Sequence, residues 1–182
     1  MKLLSPEDGQ HKAEFSKSRK YFVDSYSRVD MEPRFTLKDN NGRVIIKDLA
    51  KVDIRRAYEM GRRAPERFVV KAADGLTDLH GIMWKPADFD PNKKYPIIYV
   101  STSFSLDDSY NMKLAQLGFI VVSMGHRGGS PMRGKFYHRY GYGNLRDYPL
   151  ADDKYAIEQL ADRYSYIDGT RVGIFGHSGG GF

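Results

Sequence analysis

Cysteine is absent from the 182 residues, which excludes a disulfide framework and a thiolate metal site. Histidine occurs five times, at positions 11, 80, 126, 138 and 177, without the paired spacing of a zinc site. No metal and no cofactor is expected. No apolar run approaches the roughly 20 residues of a membrane span. Met1 to Gln10 lacks the apolar core of a signal peptide, so the compartment stays open. Charge of a single sign is missing as well. The 29 basic residues are scattered among 23 acidic ones, so the formal charge of +6 reads as a mixed solvated surface.

What is present is ordinary globular material, 41% hydrophobic and 29% charged. The length fits one domain, or a small one plus part of another. Tyr21-Phe-Val-Asp-Ser-Tyr-Ser, Arg34-Phe-Thr-Leu and Arg43-Val-Ile-Ile-Lys are short β-type runs. With turn residues such as Asp39-Asn-Asn-Gly42 between them, they predict an antiparallel meander. Two or three such strands cannot bury both faces alone, so a larger β-structure is expected. No repeat of them follows. Ala50 to Pro65 is charged and reads as a linker, helical in part. The expected division is therefore residues 1–57, a linker at 58–65, and a second domain at 66–182.

The second domain alternates. Phe68-Val-Val-Lys-Ala and Leu79-His-Gly-Ile-Met-Trp84 flank Asp74-Gly75, a hairpin signal. Pro96 to Val100 and Phe119 to Ser123 are buried-strand runs. Between them, Leu106, Tyr110, Leu114 and Leu117 predict a helix, with a Ser105/Asp108 capping box and Gly118 as its C-terminal cap. Leu150, Ile157, Leu160, Ala161 and Tyr164 mark the apolar face of a second helix with Pro149 in its first turn. Asp168-Gly169 is a turn signal, and Arg171 to Phe175 is a strand. Strand, helix, strand, helix, strand is an open parallel α/β arrangement, whose active site belongs at the carboxyl ends of its strands.

At that end stands Gly176-His-Ser-Gly-Gly180. In a nucleophile elbow a serine sits on a sharp strand-to-helix turn, and small residues two positions either side avoid collision. Gly176 and Gly180 occupy those positions around Ser178. The backbone N–H of Gly179 would face the oxyanion formed during acyl transfer. The pattern alone arises by chance in roughly one such chain in twenty; the preceding strand gives it weight.

The ordered motifs resemble the prolyl oligopeptidase family of serine peptidases, nearest its dipeptidyl peptidase IV branch. Glu14-Phe-Ser, Tyr21 to Ser27, Pro33 and Asn41-Gly42 are similar to that family's last propeller blade. Ala73-Asp-Gly-Leu-Thr-Asp-Leu-His-Gly81, Lys85-Pro86 and Phe89 to Pro96 resemble the opening of its hydrolase domain. Gly118 to Ser123, Arg127-Gly128, Tyr142 to Asp147 and Ile167-Asp168 continue the likeness to the elbow. The fold implied is an incomplete α/β-hydrolase fold preceded by β-strands of a partial propeller blade.

The activity implied is hydrolysis of oligopeptides through an acyl-enzyme on Ser178. The partner implied is a peptide substrate, with no nucleic acid, and a homodimer of the full-length protein is compatible with the family. A periplasmic or secreted parent is equally compatible. In the family's order the triad Asp and His follow the serine, and none of the five histidines does. His177 adjoins the nucleophile and its side chain is expected to project away. His126 and His138 lie in a Gly/Arg/Tyr-rich loop, while His80 and His11 read as packing or surface residues.

Two departures stand out. The family's oxyanion tyrosine is replaced near Thr102, and a glycine, Gly179, follows the nucleophile where tyrosine is common. The glutamates that bind a substrate amine belong to a propeller portion absent from these residues. Other readings remain: a non-catalytic truncated fragment or pseudoenzyme, or an esterase with the same elbow. Gly125 to Tyr140 interleaves basic, glycine and aromatic residues as some RNA-binding segments do, but it is single and short. Gly173-x-x-Gly176-x-x-Gly179 lacks nucleotide-loop spacing.

Overall fold

The computed structural model describes residues 2–101, 108–144 and 147–181, with backbone alone at 108, 109, 131, 178 and 179. It divides into two compact units, Met1–Ala64 and Pro65–Phe182.

The first unit is a four-stranded antiparallel meander in the order β1-β2-β3-β4: β1 (Gln10–Phe15), β2 (Tyr21–Arg28), β3 (Met31–Asp39) and β4 (Val44–Lys51). The β3–β4 turn forms where Asp39-Asn-Asn-Gly42 predicts it. Asp39 Oδ1 accepts the Asn41 and Arg43 amides, and Gly42 takes the left-handed backbone that glycine favours. The strand β1 is an addition to the three runs that the sequence marks. Its residues are nearly all exposed, so its alternation is too weakly apolar to reveal it. Phe22 is buried, whereas Val44, Ile45, Ile46 and Leu49 on β4 are exposed. A short helix, α1 (Arg55–Glu59), follows.

The second unit holds a five-stranded sheet in the order β5-β6-β8-β7-β9. Its strands are β5 (Glu66–Lys71), β6 (Asp78–Trp84), β7 (Tyr95–Ser101), β8 (Ile120–Met124) and β9 (Ile167–Gly176). The first two form the expected hairpin around Asp74-Gly75, and β6 pairs antiparallel with β8. The last three are parallel. Every residue of β8 is buried, and Ile97 on β7 is fully buried. Such burial stabilises each aliphatic side chain by about 1.5–3 kcal/mol, so β8 and β7 anchor the sheet. At the edge formed by β9, Val172, Ile174 and Phe175 remain 43%, 65% and 43% exposed.

Helices α2 (Asp108–Gln116) and α4 (Leu150–Arg163) fall where the sequence periodicity puts them, with α3 (Lys135–His138) between. Gly118 caps α2 with positive φ, its amide donating to the Ala115 carbonyl. The Ser105/Asp108 capping box and Leu106 lie outside the described side chains.

The buried faces differ from those expected. On α2, Asn111 and Ala115 are buried while Leu117 is exposed. On α4, Ile157 and Leu160 are buried as predicted, but Leu150 faces solvent and Asp152 and Asp153 are buried. Specific polar partners on the sheet side turn the start of α4 inward. The Asp168-Gly169 signal marks no strand boundary but an irregularity within β9. There Asp168 accepts the Thr170 amide and the side chains of Thr170 and Arg171, and the pairing with β7 shifts.

Candidate active site

Strand β9 delivers the chain to a tight 3₁₀ turn, Ser178–Gly181, at the carboxyl end of the parallel strands. The Gly180 amide donates to the His177 carbonyl at 3.0 Å, which closes the turn over Ser178 and Gly179. Space makes glycine necessary here. A Cβ on Gly176 would fall on the Gly180 carbonyl, and one on Gly180 would fall on the Ser101 carbonyl of β7. Gly176 itself pairs with Ser101. The structure thus brings Gly176, Gly180 and the end of β7 together around the turn. The Ser178 side chain lies outside the described set, as do the contacts of Gly179, Thr102 and Phe182.

Behind the turn, α4 and β9 flank a cavity of about 870 Å³ lined by Tyr99, His126, Tyr148, Asp153, Ile174 and Gly180, among others. The Tyr99 hydroxyl donates to Asp153 Oδ1 at 2.8 Å. Burial pushes the Asp153 carboxyl up to about 6, against the hydrogen bond from Tyr99, which lowers it. Burial also pushes the Tyr99 phenol well above its ordinary value.

A folded-state value above the unfolded 3.8 means that the folded chain binds the proton more tightly. Ionised Asp153 therefore costs stability at neutral pH, and that stability returns as pH falls from about 6 to 3.8. The shift corresponds to about 3 kcal/mol. Asp153→Asn keeps an acceptor for Tyr99, and is expected to stabilise the chain by about 2–3 kcal/mol at pH 7. The gain should fade towards zero at pH 4. Urea melts at the two pH values check it, and an equal effect at both would contradict it.

One residue earlier the partners are cationic. Asp152 is fully buried and accepts two bonds from the Arg127 guanidinium, Nη2 at 2.7 Å and Nε at 3.0 Å. It also accepts the backbone amides of Ala73 and Arg127. Arg127 Nη1 reaches Asp74 Oδ2 at 2.9 Å, and the guanidinium lies 4.1 Å from the Tyr140 ring centre. Asp74 also accepts the Thr77 and Leu76 amides and the Thr77 hydroxyl, which holds its carboxyl far below the usual range. One arginine following β8 thus locks the hairpin turn to α4 beside the carboxyl ends of the strands. Sequence reasoning missed this network; its one signal was a guanidinium in the turn that follows a mostly apolar strand.

The histidines sort as follows. His177 is exposed. His126 is buried, its Nδ1 3.0 Å from the Arg127 carbonyl and its ring edge-on to Tyr148. His138 Nδ1 lies 2.8 Å from the Gly129 carbonyl, and His80 is exposed on β6. The Gly/Arg/Tyr-rich loop is packed at two points, where Tyr148 fills the space a Cβ would need at Gly128 and at Gly141, while Met132 and Phe136 are exposed. His11 belongs to neither expected class, because it joins a charged cluster in the first unit. There Glu7, His11 and Asp24 offer a metal-like donor set, yet the Lys38 ammonium occupies the cationic position, 2.8 Å from both carboxylates.

Comparison with known proteins gives this geometry a context. The prolyl oligopeptidase family model matches residues 104–182. Human dipeptidyl peptidase 8 is 33% identical over 129 residues, covering 65% of this chain and 14% of the human protein. Dipeptidyl-peptidase 5 of Porphyromonas gingivalis is 37% identical over 134 residues, covering 65% and 18%. A solved Bacteroides ovatus structure, described as a candidate dipeptidyl aminopeptidase IV, matches with a TM-score of 0.79 at 28% identity. It covers 98% of this chain and 27% of its own. The chain therefore spans between 14% and 27% of the length of these relatives. They are peptidases, hydrolases of the serine type. Within that class, the likeness is to the prolyl oligopeptidase family, whose model matches the last part of the chain.

Proposed function

We propose that this chain is part of a dipeptidyl-peptidase-like serine peptidase that hydrolyses oligopeptides through an acyl-enzyme on Ser178. The supporting observation is the turn itself. It lies at the end of a parallel strand, its flanking glycines packed against backbone where no side chain fits. In this reading the five-stranded unit is the first part of an α/β-hydrolase domain. The antiparallel unit is the end of a β-propeller. The triad Asp and His are assigned to the remainder of a longer parent protein, since the chain spans only 14% to 27% of the length of its relatives.

The chemistry follows from that assignment. Ser178 Oγ attacks the scissile carbonyl while the histidine takes its proton, and the Gly179 N–H stabilises the oxyanion. The C–N bond then breaks, the histidine returns the proton to the leaving amine, and an ester on Ser178 remains for water to hydrolyse. Without a base the serine hydroxyl is a poor nucleophile at neutral pH.

The full-length protein is expected to hydrolyse a proline-containing dipeptidyl chromogenic substrate. The 182-residue chain is expected to be inert and, with β9 exposed, prone to aggregate. Turnover by the isolated chain would refute the division of the triad. A folded, inert full-length protein would favour the pseudoenzyme reading.

A further inference from the structure

The first unit keeps four charged groups together away from the elbow. On β3, Lys38 is fully buried, and its ammonium contacts Asp24 Oδ2 at 2.8 Å and the Glu7 carboxylate at 2.8 and 3.0 Å. Asp24, on β2, is fully buried and accepts His11 Nδ1 at 2.8 Å through its other oxygen. His11 Nε2 lies 2.8 Å from the Glu7 backbone carbonyl. The Tyr26 ring stacks on the imidazole with centroids 4.9 Å apart, and the Ser5 hydroxyl also bonds Asp24.

The two partners of the His11 ring, a carboxylate oxygen and a carbonyl oxygen, are both acceptors. Neutral imidazole has one N–H and can serve only one of them. Imidazolium serves both, and it balances the cluster at two positive charges against two negative ones. A cation is also favoured over the Tyr26 ring. The position of His11 gives this consequence. It is the least exposed residue of β1, whose other five residues are exposed. Few buried apolar contacts hold that edge strand, so the polar contacts decide when it opens.

We propose that His11 is a pH-sensitive clasp that, as imidazolium, fastens β1 and the Glu7 segment to β2 and β3, and on deprotonation releases that edge. Loss of the proton strips either Asp24 or the Glu7 carbonyl of its donor. The hydrogen bonds to Asp24 and to the Glu7 carbonyl raise the His11 value above 6.5, against the opposing effect of burial. A raised folded-state value makes the clasp fully effective below about 6.5 and weakens it as pH climbs through that raised value. The groups facing it respond elsewhere. Glu7 and Asp24 are both held below the ordinary carboxylate range and Lys38 above its own, so none of the three titrates in that window.

Hydrogen–deuterium exchange of the full-length protein, corrected for intrinsic rates, tests the clasp between pH 6 and 9. Protection of the Gln10–Phe15 amides should fall by about tenfold for each unit by which the His11 value is raised. The Met31–Asp39 amides, on the anchored strand, should hold theirs. In His11→Gln, the β1 protection should be low and independent of pH. Constant protection of β1 in the native chain, or the same fall in His11→Gln, would overturn the clasp. If the variant does not fold, the native His11 ring still decides. Its NMR titration should place ionisation above 6.5, and a midpoint at or below that value overturns the proposal.

Discussion

Ser178→Ala in the full-length protein is expected to cut turnover of a dipeptidyl substrate by about four to six orders of magnitude, with folded protein undiminished. The size follows from removing the nucleophile of a unit whose members act together; what remains is oxyanion stabilisation and binding. The preserved fold follows from the geometry of the turn. Its tight contacts run between Gly176, Gly180 and the Ser101 carbonyl, all backbone, and the substitution leaves both glycines in place. Comparison with His177→Ala separates nucleophile from neighbour. His177 is exposed and its backbone carbonyl, which any residue supplies, closes the turn. That variant should retain activity within about tenfold, since surface substitutions away from such features rarely matter much. Activity of Ser178→Ala above about one per cent of native would remove the serine from the chemistry.

Asp152→Ala is expected to destabilise the α/β unit by about 3–5 kcal/mol, the cost of leaving one partner of a buried ion pair uncompensated. Arg127 is only 13% exposed at its side chain, so water cannot readily replace the lost carboxylate. The amides of Ala73 and Arg127 lose an acceptor as well, and unpaired buried donors carry their own penalty. The effect should spread to the hairpin, because Arg127 also holds Asp74. Replacing both partners, Arg127→Met with Asp152→Leu, removes the charges together and should cost less than Asp152→Ala alone. Denaturant midpoints give both numbers. A loss below about 1 kcal/mol for Asp152→Ala would mean that the pair is solvated.

These adjacent aspartates also show where sequence reading stops. Acidic side chains in the first turn of a helix, as Asp152 and Asp153 are, ordinarily face solvent and the helix N-terminus. Their burial depends on Arg127, in the turn after β8, and on Tyr99, on β7, and no local pattern carries that information. Lys38 is hidden for the same reason, being polar in a strand whose alternation gives no hint of Asp24 and Glu7. The hairpin at Asp74-Gly75, the buried β8 and the Gly118 cap were legible because turn chemistry and apolar period are local. The need for glycine at 176 and 180 is local in the same way, as the clash that excludes side chains there arises within five residues and one neighbouring strand. A base and an acid are brought to a serine by tertiary structure, so a local motif carries no information about such partners.

The most direct test of the nucleophile is covalent. Full-length protein treated with a fluorophosphonate probe, then digested and mapped by mass spectrometry, should carry one adduct, on the peptide containing Ser178. The Ser178→Ala variant should carry none. A folded full-length protein that stays unlabelled, or an adduct on a different serine, would contradict the assignment of Ser178 as the nucleophile.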